Sequence, residues 1–170
     1  SFPTRRSSDL GAFLGGEDGD LRQRAGASRQ KRRGLVPAVH ALQIPERKSR
    51  DAVLAALVTM LESRRPAADG SGWVQQVNAL QYRAFWLRDN TQITAALMRT
   101  GFLSIARENL TFATRWQAAD GQIASRPGQM DGTGQTRWVL GEHARLTQDR
   151  AWAQAQLPLV SKAIDWVAAV

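Results

Sequence analysis

From Pro45 onward, apolar residues recur every three or four positions in runs of roughly 10 to 18 residues, and loop-forming residues interrupt them. That period fits helices and does not fit the two-residue alternation of half-buried strands. Val53, Leu54, Leu57, Val58 and Leu61 fall on one helical face, with Arg50, Asp51 and Glu62 outside it. Pro45 suits the first turn, where its missing amide hydrogen has no partner to lose. Pro66 predicts an end near Arg64. The loop Ala67-Ala68-Asp69-Gly70-Ser71-Gly72 follows, and residues 73–86 read as extended or irregular, with room for a short strand or turn. Asn90 or Thr91 is expected to cap a second helix carrying Ile93, Ala96 and Leu97 and closed by Gly101. A third runs from Leu103 to about Trp116 with Ala106, Leu110 and Ala113 on one side, and Ala118-Ala119-Asp120-Gly121 ends it. After a polar crossing, Thr133 is expected to open a fourth helix through Trp138, Leu140, Ala144 and Leu146. Asp149 caps a fifth, which Pro158 should kink or restart before Val160, Ala163, Ile164 and Val167.

Short connections (Thr100-Gly101, Thr147-Gln148-Asp149) alternate with long ones rich in Trp, Arg, Asp and Gln. The expected fold class is therefore all-α, about five helices in stacked antiparallel hairpins with function on the long-loop end. The chain has no Cys, which removes disulfides and thiolate metal sites from its 170 residues. With only His40 and His143, no zinc site or other metal or cofactor is expected. No apolar run approaches the roughly 20 residues of a membrane span, so no membrane partner is expected.

The amino-terminal part reads differently. Ser1-Phe2-Pro3-Thr4-Arg5-Arg6-Ser7-Ser8-Asp9-Leu10 is what TCT TTC CCT ACA CGA CGC TCT TCC GAT followed by CT encodes, the end of a short-read sequencing adapter. Residues 1–10 are thus expected to be an adapter translation artefact, with the true start missing and localisation unreadable. Residues 11–44 lack apolar periodicity and are expected to be a disordered or read-through leader, with at most a turn of helix near Val39-His40-Ala41. Eight of the 23 basic and four of the 15 acidic residues precede Pro45, so residues 45–170 carry +4 rather than the +8 of the whole chain. Half of the basic excess belongs to the leader, and nucleic acid is not an expected partner.

Several short motifs carry polar chemistry in the remaining part. They are Trp86-Leu87-Arg88-Asp89, Ala106-Arg107-Glu108-Asn109-Leu110, Gln117 through Asp120-Gly121, and Asp131-Gly132-Thr133-Gly134-Gln135 with Trp138. Gly141-Glu142-His143, Leu146-Thr147 and Ala163-Ile164-Asp165-Trp166 follow. In order and spacing these resemble the first hairpins of six-hairpin glycosidases, the superfamily of glucoamylase-like hydrolases and glycogen-debranching enzymes. The resemblance covers roughly residues 45–170. It implies part of an (α/α)6 toroid of twelve helices, with an oligo- or polysaccharide substrate, glucan-type or related, held in a funnel of long loops. In glucoamylase-like members the residues matching Trp86, Arg88 and Asp89 hold the sugar at the cleavage point. The two catalytic carboxyl groups come from later loops, which would lie beyond Val170, so no catalytic residue is assigned here and these residues alone are expected to be inactive.

The residue types support that chemistry independently. Arg88 offers a planar fork of donors and Asp89 a set of acceptors, which together suit neighbouring sugar hydroxyls. The flat face of Trp86 suits the C–H side of a pyranose. Structural alternatives stand beside these roles: a helix cap for Asp89 and an ion pair for Arg88. Gln129, Asp131 and Gln135 form a second candidate cluster on the same rim, or a turn leading into a cap at Thr133. Trp116 and Trp138 fit core packing, and Glu142-His143 fits a structural role inside a helix. A helical repeat module binding carbohydrate or protein without catalysis, or another toroid enzyme such as a sugar epimerase or polysaccharide lyase, remains open at this point.

Overall fold

A computed structural model describes residues 43–78 and 80–170. The expectations for residues 1–42 lie outside the described residues. The chain divides after Glu62 into two compact units. The described part of the first is one helix, α1 (Arg47–Glu62). It starts two residues after Pro45, because Glu46 takes over the amino end: its carboxylate accepts from the amides of Lys48 (3.0 Å) and Ser49 (2.5 Å). The anticipated stripe is present, with Leu57 and Leu61 buried and Val53, Leu54 and Val58 half-buried.

The second unit opens with a two-stranded hairpin, β1 (Arg64–Pro66) and β2 (Trp73–Gln75), paired antiparallel with Arg65 opposite Val74. The four helices α2 (Leu87–Arg99), α3 (Leu103–Thr114), α4 (Asp131–Thr147) and α5 (Arg150–Ala169) follow. The described residues are thus all-α apart from one small hairpin, with five helices. α2 and α3 form one helical hairpin and α4 and α5 another. The first turns at Gly101, whose φ of 89° lets its amide reach Met98 O (3.1 Å) while Phe102 N reaches Leu97 O (2.9 Å). The second turns at Gln148, a non-glycine residue held at φ 54°, before Asp149 accepts from Trp152 N (3.0 Å) and caps α5. Pro158 lies inside one continuous α5 and does not divide it.

Polar contacts show how the hairpins stack. Arg88 meets Asp131 and Arg99 meets Glu142, both 43 residues apart, so α2 and α4 run side by side in the same direction. Arg107 meets Asp149 and Gln117 meets the Leu159 carbonyl, both 42 apart, which gives α3 and α5 the same relation. The second hairpin therefore repeats the first after one supersecondary unit, the geometry of stacked helical repeats. Two apolar clusters fill the stack. One joins Val74, Phe85, Leu87, Ala113, Ile123 and Ala163. The other joins Ala95, Met98, Ala106, Leu110, Val139 and Leu140.

Helix starts and faces differ from expectation in instructive ways. α2 begins at Leu87, so Asn90 and Thr91 lie inside it, buried, and do not cap it. Its buried face is Leu87, Asn90, Thr91, Thr94, Ala95, Leu97 and Met98, while Ile93 and Ala96 are half-buried. α4 begins at Asp131 and not at Thr133. Trp138, expected in the core, is 41% exposed beside the Arg99 guanidinium, and Leu146 is also exposed. Trp116 does pack inside, stacked on Phe85 with ring centroids 5.2 Å apart.

Candidate functional site

The site forms where the first turns of α2 and α4 meet, and two close contacts bring them together. Gly132 has no side chain because none fits: a Cβ there would stand 2.5 Å from Ile123 O and 2.6 Å from Leu87 Cδ2. α4 therefore presses its first turn directly onto Leu87. Thr133 ties the same turn to the preceding loop, its hydroxyl accepting from Ile123 N (2.9 Å). On the other side, α2 has no side-chain cap from its own N-cap residue, Trp86. Its first amide, Leu87 N, donates instead to Ser125 Oγ at 3.0 Å.

This docking sets Asp131 beside Arg88. Arg88 Nε donates to Asp131 Oδ2 at 2.6 Å, and Gln135 Nε2 donates to the same oxygen at 3.0 Å. The Gln129 side chain also reaches Asp131. Gln129 Oε1 in turn accepts from Ser125 N and Ser125 Oγ, both at 2.9 Å. Thr91 Oγ1 lies 2.7 Å from Arg88 O and 3.1 Å from Gln135 Oε1. Four of the six candidates, Arg88, Gln129, Asp131 and Gln135, thus form one connected network. Asp131 and Gln135 stand on a helix and not in a long loop; only Gln129 is a loop residue.

Asp89 shares the first turn of α2 with Arg88, is half-buried, and adds a weaker electrostatic pull on the Arg88 charge. Trp86 is the N-cap residue and is half-buried. The Arg126 guanidinium carbon lies 3.0 Å from the centroid of its ring, and the Tyr82 ring meets it edge-on at 6.0 Å.

The Arg88 bond, first among the causes, holds the Asp131 carboxyl below the usual carboxylate range, and Gln129 adds to this while partial burial opposes it. Asp131 in return holds Arg88 firmly protonated. The Arg88 side chain is still 64% exposed, so its outer donors face solvent beside the Asp131 acceptor. Fixed donors and acceptors in this arrangement match vicinal hydroxyls. A general acid needs a carboxyl raised toward neutrality, and Asp131 is shifted the other way.

Sequence reasoning passed over Thr91, Ser125 and Arg126. Their cross-element partners lie 38 to 44 positions away or on an aromatic face, and the local signal was the polar turn Ser125-Arg126-Pro127-Gly128. Glu142 and His143 are both engaged in contacts between helices. Glu142 binds Arg145 (3.0 Å) and Arg99 (3.3 Å), while His143 is buried with its ring 4.2 Å from that of Trp152. A cleft of about 670 Å³ along α3, walled by Trp73, Arg107, Glu108 and Phe112, contains none of the six candidates. Among the described residues no cluster of His, Asp and Glu could hold a metal ion, and no helix is long and apolar enough to cross a membrane.

In comparison with known proteins, the chain matches no protein-family model, no curated protein and no solved structure.

Proposed function

We propose that these residues form the sugar-holding part of a carbohydrate-active enzyme, a glycoside hydrolase of the six-hairpin type. The observation that carries this reading is the Arg88–Asp131–Gln135 network, built across two helices at one end of the stack and left open to solvent. Stacked hairpins with a shared offset of 42–44 residues favour a toroid assembled from such repeats. An ionised Asp131 clamped by Arg88 serves as a hydroxyl acceptor, and Asp89 beside it offers a second carboxylate for a neighbouring hydroxyl. Neither is placed here as the proton donor that glycosidic cleavage needs. The proposed role is binding and orientation of the sugar, with bond cleavage assigned to other residues of the enzyme.

The test is calorimetric titration of the 170-residue chain with maltotriose, alongside Arg88→Ala. A weak site, with a Kd on the order of millimolar, is expected, and Arg88→Ala should weaken it at least about tenfold. Equal affinity of the variant and the parent would reject the assignment.

A further inference from the structure

The contact between Arg126 and Trp86 refines the class of sugar. In the reading above, a pyranose packs its C–H side on the indole face. Arg126 already occupies a face of that ring, with its guanidinium carbon 3.0 Å from the centroid. The edge-on Tyr82, itself 54% exposed, borders the same ring. A ligand approaching from the Arg126 side therefore meets a cation before it meets the ring.

That cation has no anionic partner among the described residues. The acidic side chain built into the network, Asp131, is already bound by Arg88. Arg126 is exposed while its guanidinium carbon lies over Trp86, so the cation rests on the ring and stays open to solvent. Its neighbour Ser125 ties this turn to Leu87 N and to Gln129, which touches Asp131. Arg126 is thus fixed to the same frame as the Arg88–Asp131 network.

An exposed guanidinium beside the proposed hydroxyl-binding network suits a carboxylate, which can accept two parallel N–H bonds from it. We infer that Arg126, stacked on Trp86, selects saccharides bearing a carboxylate, so that the ligand is a uronate-containing oligosaccharide and not a neutral glucan. This inference rests on the proposed sugar site and sharpens its substrate class.

The experiment compares a glucuronate-containing trisaccharide with its carboxyl-reduced neutral counterpart, each titrated calorimetrically into the 170-residue chain and into Arg126→Gln. Arg126 is exposed, and an unchanged melting midpoint would verify that the variant is folded. The acidic trisaccharide is expected to bind at least about tenfold more tightly than the neutral one at low salt, with the advantage shrinking as salt rises. In Arg126→Gln that preference should fall below about threefold while neutral binding is kept or improved, because the ring is uncovered. Equal binding of the two saccharides by the parent chain, or a preference that survives Arg126→Gln, overturns the inference. Neutral binding that depends on Arg88 would then leave the sugar site standing. Absence of binding by either saccharide rejects the sugar site itself and this inference with it.

Discussion

The second unit holds two arginine–aspartate clasps of almost the same construction. Arg88 grips Asp131 across 43 residues and Arg107 grips Asp149 across 42, at 2.6 Å and 2.5 Å. Each has an arginine lying over a nearby tryptophan, Arg126 on Trp86 and Arg107 on Trp152. Their surroundings differ. Asp149 spends its other oxygen on capping α5 through Trp152 N, and buried His143 lies against the Trp152 ring. Asp131 caps nothing; its further partners are the side-chain amides of Gln129 and Gln135, and Arg88 keeps its outer donors in water. The Arg107–Asp149 clasp closes a helix junction, whereas the Arg88–Asp131 clasp leaves donors of Arg88 in solvent, as the proposed sugar site requires. One ion-pair motif serves two ends of a helix stack, and what surrounds the carboxylate decides which job it does.

The Arg88–Asp131 clasp is most vulnerable at Gly132. A methyl there meets Ile123 O and Leu87 Cδ2 well inside contact distance, and α4 must shift away from Leu87. Gly132→Ala should cost about 1–3 kcal/mol in chemical denaturation and separate Asp131 from Arg88, so that ligand binding falls too. A variant of parental stability would show that the open clasp does not depend on this close approach.

Acid should act on the closed clasp first. Burial, and then the nearby Arg107 charge, lower the His143 pKa from 6.5, so the folded state favours the neutral ring. Its contribution is complete above about pH 6.5 and is lost as pH falls through the lowered folded value. Asp149 is also lowered, chiefly by the Trp152 amide and then by Arg107, and its share is lost only below the usual carboxylate range. The melting midpoint should therefore hold from pH 8 to 7 and drop below pH 6, with that first drop absent in His143→Gln. An identical pH profile in the variant would place the sensitivity elsewhere.

A milder contrast comes from removing each arginine in turn. Arg107→Ala should lower the melting midpoint, because α5 loses part of its anchored start. Arg88→Ala should leave the midpoint nearly unchanged while weakening sugar binding at least about tenfold, as befits a pair that is largely exposed. Equal losses of stability would erase the distinction between the clasps. Smallest of all, Gln148→Gly relieves a left-handed residue between α4 and α5 and should stabilise by roughly 0.5–1 kcal/mol. A destabilised variant would mean that the Gln148 side-chain bond to Arg145 O outweighs the backbone strain.

These regions also show what the sequence could and could not reveal. Helix existence was legible because apolar spacing records it locally, and Asp149 was legible as a cap because its bond lies three residues on. The start of α2 was not, since its first amide is satisfied by Ser125, 38 residues away, and not by a nearby Ser, Asp or Asn. The start of α4 was hidden for a similar reason, with no side-chain bond from its N-cap residue Met130. A buried face made of Asn90, Thr91 and Thr94 breaks the rule that apolar residues mark the inside. Three-residue strands carry too little alternation to read, which is why the Arg64–Pro66 pairing went unforeseen. At the site, residue types pointed to Arg88 and Asp131 separately. Their union, and the Arg126 cover on Trp86, are products of tertiary packing.

The even offset between hairpins has a kinetic consequence. The α2–α3 turn closes through bonds spanning only a few residues, so that hairpin can form early and cheaply in loop entropy. The Arg88–Asp131 bond must wait for a partner 43 residues later, and it becomes available only once α4 has docked on Leu87. During synthesis, the rim should take shape only when α4 docks and not with the helix that bears Arg88, and the Arg107–Asp149 clasp should follow it.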